Sequence, residues 1–506
     1  MKKIKYIGLM LLAVGFTACD VNNELDEIAE VPVVLPAPTA GNADFSNYVA
    51  IGASFTAGFS DGSVFLAAQS RSFPKIMANM MANVGGGDFT QPMVADNIGG
   101  LTLGGNQIAN PRLFFNGAGP AVLPGSPGTE VSNVLSGPFN NMGVPGAKSF
   151  HLVASGYGSV ANVQLGLANP YFARMASSST ATVLGDAASQ NPTFFTISEI
   201  GGNDVLAYAT NGGSGMVQTG NLDPSTYGPN DITDPNVFAN VFNTIVNTMT
   251  ANGAKGAVVT VPSIVNLPYF TTVPHNPVPL DAATASLLNA GYAQYNGGLQ
   301  QVYAGLVLQG LPQSVADEEI AKRTISFSAG QNAVVIVDED LRDLTGFGLP
   351  NYRQATAEDF LVLTSASFIG TTVGGNPLQI NGVSVPLEDK WVLTPEEQNN
   401  IQTAVNAYNT TIIAIGDANN LAVVDLNQIL TEAASGGTTF DDFGMTTNLV
   451  FGGLVSLDGI HLTSRGYALM ANKILEAIDD TYGSNFVESG NIAKANNYPT
   501  NYPPGI

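Results

Sequence analysis

Short, mainly apolar runs recur along the chain, and between them lie longer stretches whose apolar positions return every three or four residues. Residues 48–51, 194–197, 257–261 and 421–426 are runs of the first kind, and their length predicts buried strands. Residues 72–84 are of the second kind: Phe73, Ile76, Met80 and Val84 fall on one helical face. Residues 236–252 repeat the pattern with Val237, Val241, Ile245 and Met249. Thr394 predicts a helix start, with Pro395 in the first turn and Glu396 and Glu397 favoured there by the helix dipole, running to about Asp417. A last helix, capped by Thr463 or Ser464, carries Tyr467, Met470, Ile474 and Ile478. Strands that alternate with helices of this length predict an α/β fold, its strands parallel and joined by right-handed crossovers.

Two segments interrupt the alternation. Residues 101–135 are rich in Gly and Pro, and residues 264–390 carry prolines, aromatics and short strand-like runs at 333–337 and 378–385. Both are read as insertions in one domain of residues 45–485, because chemically suggestive blocks lie on either side of them. Residues 486–506 are left as a C-terminal tail. Residues 19–44, with Pro32, Pro36 and Pro38, predict an extended acidic tether.

The first eighteen residues change the picture of where this domain works. Lys2, Lys3 and Lys5 precede the apolar run 7–16, followed by Thr17-Ala18-Cys19. That arrangement predicts a secretory signal, too short to span a bilayer. Cys19 is the only cysteine and resembles the lipidated residue of a bacterial lipoprotein signal, with Phe16 where Leu is usual. The alternative is an ordinary signal peptide beside an incidental cysteine. The acidic stretch Asp20, Glu24, Asp26 and Glu27 resembles the surface-export tags of Bacteroidetes lipoproteins. An exported lipoprotein of the outer membrane, held there by its lipid alone, is therefore expected.

Composition narrows the partners. A formal net charge of −23 argues against nucleic acid and anionic lipid surfaces, both of which need a basic face. Only 11% of residues are charged, with Gly, Asn, Ser and Thr in their place, as in exported proteins with long surface loops. The chain has one Cys and the histidines His151, His275 and His461, too few for a standard zinc site, and no cofactor is expected.

Four blocks carry candidate chemistry. Gly52-Ala53-Ser54-Phe55 follows a strand and presents a serine at the carboxyl end of a parallel sheet. Asn141-Met142-Gly143-Val144-Pro145-Gly146 is read as a loop whose Gly146 N–H is open to a ligand. Gly201-Gly202-Asn203-Asp204 follows a second strand and offers the Asn203 amide, with Asp204 as a local hydrogen-bonding or capping residue. Asp458-Gly459-Ile460-His461 places an acid three residues before an imidazole, close enough to hold its tautomer. Each block alone has an ordinary reading as a turn or a surface histidine. Together they supply a nucleophile, oxyanion donors, a base and an orienting acid, the inventory for acyl transfer. His151 and His275 are read as structural.

Taken together the blocks resemble the SGNH hydrolases, the GDSL-type esterases and lipases. The four family positions fall on Ser54, Gly146, Asn203 and His461, with Asp458 completing the triad. The stretch 169–204 and the helix start at 393–397 resemble the long lipoprotein members found in Bacteroidetes. The resemblance implies a three-layer α/β/α sandwich of about five parallel strands, flavodoxin-like, with large loop insertions. It implies a serine esterase or lipase acting through an acyl-enzyme. One position departs: Ala53 stands where the family has an Asp that supports the loop. The expected substrate is an ester, either a lipid or short-chain acyl ester, or an acyl group on a glycan removed by a polysaccharide deacetylase. Leu267, Tyr269, Phe270 and Trp391 form either an acyl groove or lid, or simply the core of the insertion. A different class stays open, a catalytically silent surface lipoprotein that binds glycan or lipid.

Overall fold

Five strands pair in parallel: β1 (Tyr48–Gly52), β2 (Asn141–Gly143), β3 (Phe194–Ser198), β4 (Lys255–Val259) and β5 (Ala422–Val424), in the order 2-1-3-4-5. The computed structural model describes residues 34–506, of which Pro38–Ile506 form one compact unit. The signal segment, the lipidation candidate Cys19 and most of the tether lie outside the described residues. The chain is thus an α/β protein with a parallel sheet. Four of its strands are the four expected from the apolar runs. The fifth is a correction, because Asn141–Gly143 was read as loop and is instead β2, paired with Ala50, Ile51 and Gly52. Three residues without a β-branched side chain give no strand signal of their own; their pairing to β1 makes the strand.

Alternate residues of the strands feed two apolar clusters. Val49, Ile51, Phe195, Ile197 and Val258 pack in one cluster with helices α3 (Val183–Ala188), α5 (Pro235–Thr250) and α7 (Pro395–Ala418). Tyr48, Ala50, Phe194, Ala257 and Val259 pack in the other with α2 (Phe73–Met81), α8 (Leu426–Gly436) and α9 (Ser464–Tyr482). The remaining helices named below are α1 (Ser54–Ala57), α4 (Asn203–Thr210) and α6 (Ala282–Leu308). The caps are those the sequence offers. Ser72 accepts from the Lys75 N–H, Thr463 from Gly466, and Thr394 and Glu397 form a reciprocal capping box.

Among the described residues, six two-stranded antiparallel sheets accompany the parallel one, most of them in the insertions. Residues 101–135 fold as two hairpins, Leu101–Leu103 with Asn106–Ala109 and Leu113–Phe115 with Pro120–Val122. Within 264–390 the strand-like run at 333–337 yields Val335–Val337, paired with Tyr352–Gln354. The run at 378–385 forms only isolated bridges. The same insertion holds the 27-residue helix α6, which the apolar pattern did not reveal. Its buried stripe is about one residue per turn, and two of its tyrosines bond to backbone: Tyr292 to the Val383 carbonyl and Tyr295 to that of Tyr352, each at 2.7 Å. This insertion builds its own apolar cluster, around Leu299, Tyr303, Val335 and Ile336. Residues set apart as a tail also pack on the domain, with Phe486, Ala495 and Tyr502 buried. Among the described residues no helix is long and apolar enough to cross a membrane.

Candidate active site

The strand order reverses direction at β1, with β2 on one side and β3 on the other. Crevices at the carboxyl ends of such a switch point are where open parallel sheets bind ligands. Register aligns those ends: Gly52 lies opposite both Gly143 and Ser198. Ser54 follows β1, Gly146 follows β2 and Asn203 follows β3, so three of the four blocks emerge side by side.

Ser54 opens the one-turn helix α1 and is nearly buried. A Cβ at Gly52 would lie 2.1 Å from Thr56 Oγ1 and 2.7 Å from the Ser198 carbonyl, so only glycine lets the chain turn this tightly back on itself. Among the described residues nothing accepts a hydrogen bond from the Ser54 N–H, and its hydroxyl forms none. Gly146 has φ +80°, open space where a Cβ would sit, and an N–H likewise without a partner among the described residues. Asn203 donates one amide hydrogen to the Ala147 carbonyl at 3.0 Å, which ties the Gly146 loop to it and leaves its second hydrogen free.

Ser54, Asn203 and His461 line one cleft of ≈ 360 Å³, counting space open to solvent. Its other walls are mostly apolar, formed by Phe55, Leu206, Pro262, Ile264, Leu267 and Ile460, with Glu199 and Gly202 completing the lining. His461 Nδ1 is 2.8 Å from Asp458 Oδ2. The imidazole packs on the Phe59 ring at 4.4 Å. No hydrogen bond joins Ser54 to His461.

Asp458 is the most heavily bonded carboxylate of the site. Oδ1 accepts from the backbone N–H of Ile460 and His461 at 2.9 and 2.8 Å and from Ser456 Oγ at 3.1 Å. Oδ2 also accepts from the Gly62 N–H at 2.8 Å. Burial alone would raise its pKa, but His461 and these donors hold the carboxyl well below its usual range. It remains ionised and acts only as an acceptor.

Two further carboxylates belong to the site and escaped the sequence reading. Glu199, at the end of β3, accepts from the Ala53 N–H at 2.6 Å and the Thr56 N–H at 3.0 Å, both on Oε1. It thus grips the serine loop on each side of Ser54. Its φ of +46° is unusual for a residue with a Cβ, and burial raises its pKa to about 7. Asp61 is the other. It accepts from the Leu457 N–H at 3.0 Å and donates its own N–H to Ser456 Oγ, bracing the Asp458 loop. Burial also pushes its pKa up to about 7. Neither was legible because each acts on a loop far away in sequence.

The remaining candidates fall where expected or take other work. Asp204 is fully buried and accepts from the Ser149 N–H and hydroxyl at 2.8 and 2.7 Å, fixing the segment after Gly146. His151 accepts from the Lys148 N–H and stacks on Tyr157; burial, with Lys148 nearby, lowers its pKa to about 4. His275 contributes its carbonyl to the Val334 N–H. Leu267 reaches the cleft, Phe270 is core, and Trp391 stacks on Phe368 at 4.7 Å. Comparison with protein-family models, curated proteins and solved structures finds no match for this chain.

Proposed function

We propose that this protein is a serine carboxylic ester hydrolase of the SGNH kind, built on a three-layer α/β/α core and carried as an exported, Cys19-anchored lipoprotein of the outer membrane. The observation that carries the reading is the shared cleft of Ser54, Asn203 and His461, with Asp458 at 2.8 Å from the far imidazole nitrogen. The Asp458 carboxylate fixes the proton on Nδ1, which leaves Nε2 as the base. His461 takes the Ser54 proton as Oγ attacks the ester carbonyl. The N–H groups of Ser54 and Gly146 and the Asn203 amide hold the oxyanion, then His461 protonates the leaving alcohol. Water repeats the cycle and releases the acid. Nothing in these steps calls on a metal or cofactor.

The apolar walls and small size of the cleft favour a short acyl group over a long lipid chain. Ala53 does not speak against activity, because Glu199 supplies a carboxylate to the same loop from β3. Labelling of the mature chain with a fluorophosphonate, beside Ser54→Ala and His461→Ala, tests the proposal. Labelling of the wild type alone, with faster turnover of acetyl than octanoyl nitrophenyl ester, is expected. A folded wild type that neither labels nor turns over either ester overturns it and favours a binding lipoprotein.

A further inference from the structure

Away from the cleft, three carboxylates converge where the long insertion meets the parallel-sheet core. Glu339 follows the insertion strand Val335–Val337, Asp389 lies at the end of the insertion, and Glu397 stands in the first turn of α7. One oxygen from each lies within 4.8 Å of the others. Among the described residues, no Lys, Arg or His pairs with any of the three. Lys390, next to Asp389 in sequence, pairs with Glu388, Lys322 pairs with Glu396, and Arg353 pairs with Asp338 and Asp359.

Glu397 points most directly to a missing positive charge. The residue is 3% exposed. Its Oε2 accepts from the Thr394 N–H at 2.6 Å as part of the helix cap. Oε1 is buried and has no hydrogen-bond partner. A Cβ at Gly213 would lie 1.8 Å from that oxygen, so the chain passing it has glycine and leaves it room. A buried carboxylate oxygen with nothing to accept from costs several kcal/mol unless a proton or a cation meets it.

We propose that Glu339, Asp389 and Glu397 bind a divalent cation of the calcium class, which fastens the insertion to helix α7. Ca²⁺ takes carboxylate oxygens in flexible geometry at about 2.3–2.6 Å, whereas Mg²⁺ demands a near-ideal octahedron and gives up its waters reluctantly. Three carboxylates drawn from a loop, the end of the insertion and a helix cap therefore suit the larger, more adaptable ion. All-oxygen donors also select a hard cation over zinc or copper. Protons are the competing solution: burial and mutual repulsion raise Asp389 to about 8 and Glu397 to about 9.

The single tryptophan, Trp391, sits two residues from Asp389 and reports on the site. Chain stripped with EDTA is titrated with Tb³⁺ under tryptophan excitation, then with Ca²⁺ and Mg²⁺ as competitors, and its thermal midpoint is followed with and without Ca²⁺. Sensitised emission, displaced by Ca²⁺ far better than by Mg²⁺, is expected, with a midpoint that rises with Ca²⁺. The double change Glu339→Gln and Asp389→Asn spares the helix cap and is expected to abolish both responses. If that variant does not fold, Glu339→Gln alone, at an exposed position, is expected to weaken Ca²⁺ competition at least about tenfold. A wild type with no sensitised emission and no Ca²⁺-dependent midpoint overturns the proposal. So does a folded variant that responds as the wild type does.

Discussion

Replacing Glu199 with alanine strands the buried N–H groups of Ala53 and Thr56, which now end on one carboxylate oxygen at 2.6 and 3.0 Å. Each buried donor without an acceptor costs about 1–3 kcal/mol, so the pair predicts a loss of stability of roughly 2–6 kcal/mol. The two donors flank Ser54, so relaxation of the loop also moves the proposed nucleophile and its N–H. A displacement of about 1 Å at a reacting group costs on the order of 100-fold in rate. Glu199→Gln behaves differently. Its carbonyl replaces Oε1, and its amide faces Thr56 Oγ1, which lies 3.3 Å from Oε2 and accepts as readily as it donates. The assay is hydrolysis of nitrophenyl acetate at pH 7 beside the thermal midpoint of each variant. Glutamine is expected within about fivefold of wild type in kcat/KM, and alanine at least about 100-fold down. Alanine as active as wild type would refute the idea that this carboxylate sets the loop. Glutamine as inactive as alanine would show that its charge, not its acceptor, is what the site uses.

Asp458→Asn places an amide against the Gly62 N–H and His461 Nδ1 and favours the wrong tautomer; kcat is expected to fall about 10³–10⁴-fold, with the change of tautomer visible by ¹⁵N NMR of the imidazole. Asn203→Ala removes a proposed oxyanion donor and is expected to lower kcat about 10²–10³-fold with little change in KM, by steady-state kinetics on the same ester. Stability should fall as pH rises from about 4 to about 7, because folded Glu199 and Asp61 each keep a proton that the unfolded chain releases. Chemical denaturation across that range checks it, and Glu199→Gln is expected to remove its share of the fall and leave that of Asp61. Arg353→Ala leaves Asp338 and Asp359 buried and unpaired, and is expected to destabilise by about 3–5 kcal/mol in the same measurement.

What the sequence determined is what acts over short distances along the chain. Apolar runs and helical periodicity marked four of the five parallel strands and helices α2, α5, α7 and α9, because burial on one face imprints a period on the residues that meet it. The pairing of Asp458 with His461 was legible for the same reason: three residues on one loop bring acid and imidazole to 2.8 Å with little help from the rest of the fold. The glycines around Ser54, Gly146 and Asn203 marked chain reversals but not what faces them. Strand β2 was hidden because three residues paired to β1 carry no pattern of their own. Helix α6 was hidden because its buried stripe is narrow and partly tyrosine. Only the tertiary structure showed that Glu199, 146 residues beyond Ala53, supplies the carboxylate that the serine loop lacks. Asp61 bracing the Asp458 loop, and three acids meeting beside α7, are contacts of the same kind. They join residues whose partners are chosen by sheet order and crossover, and a carboxylate buried by its partners looks in sequence like any other.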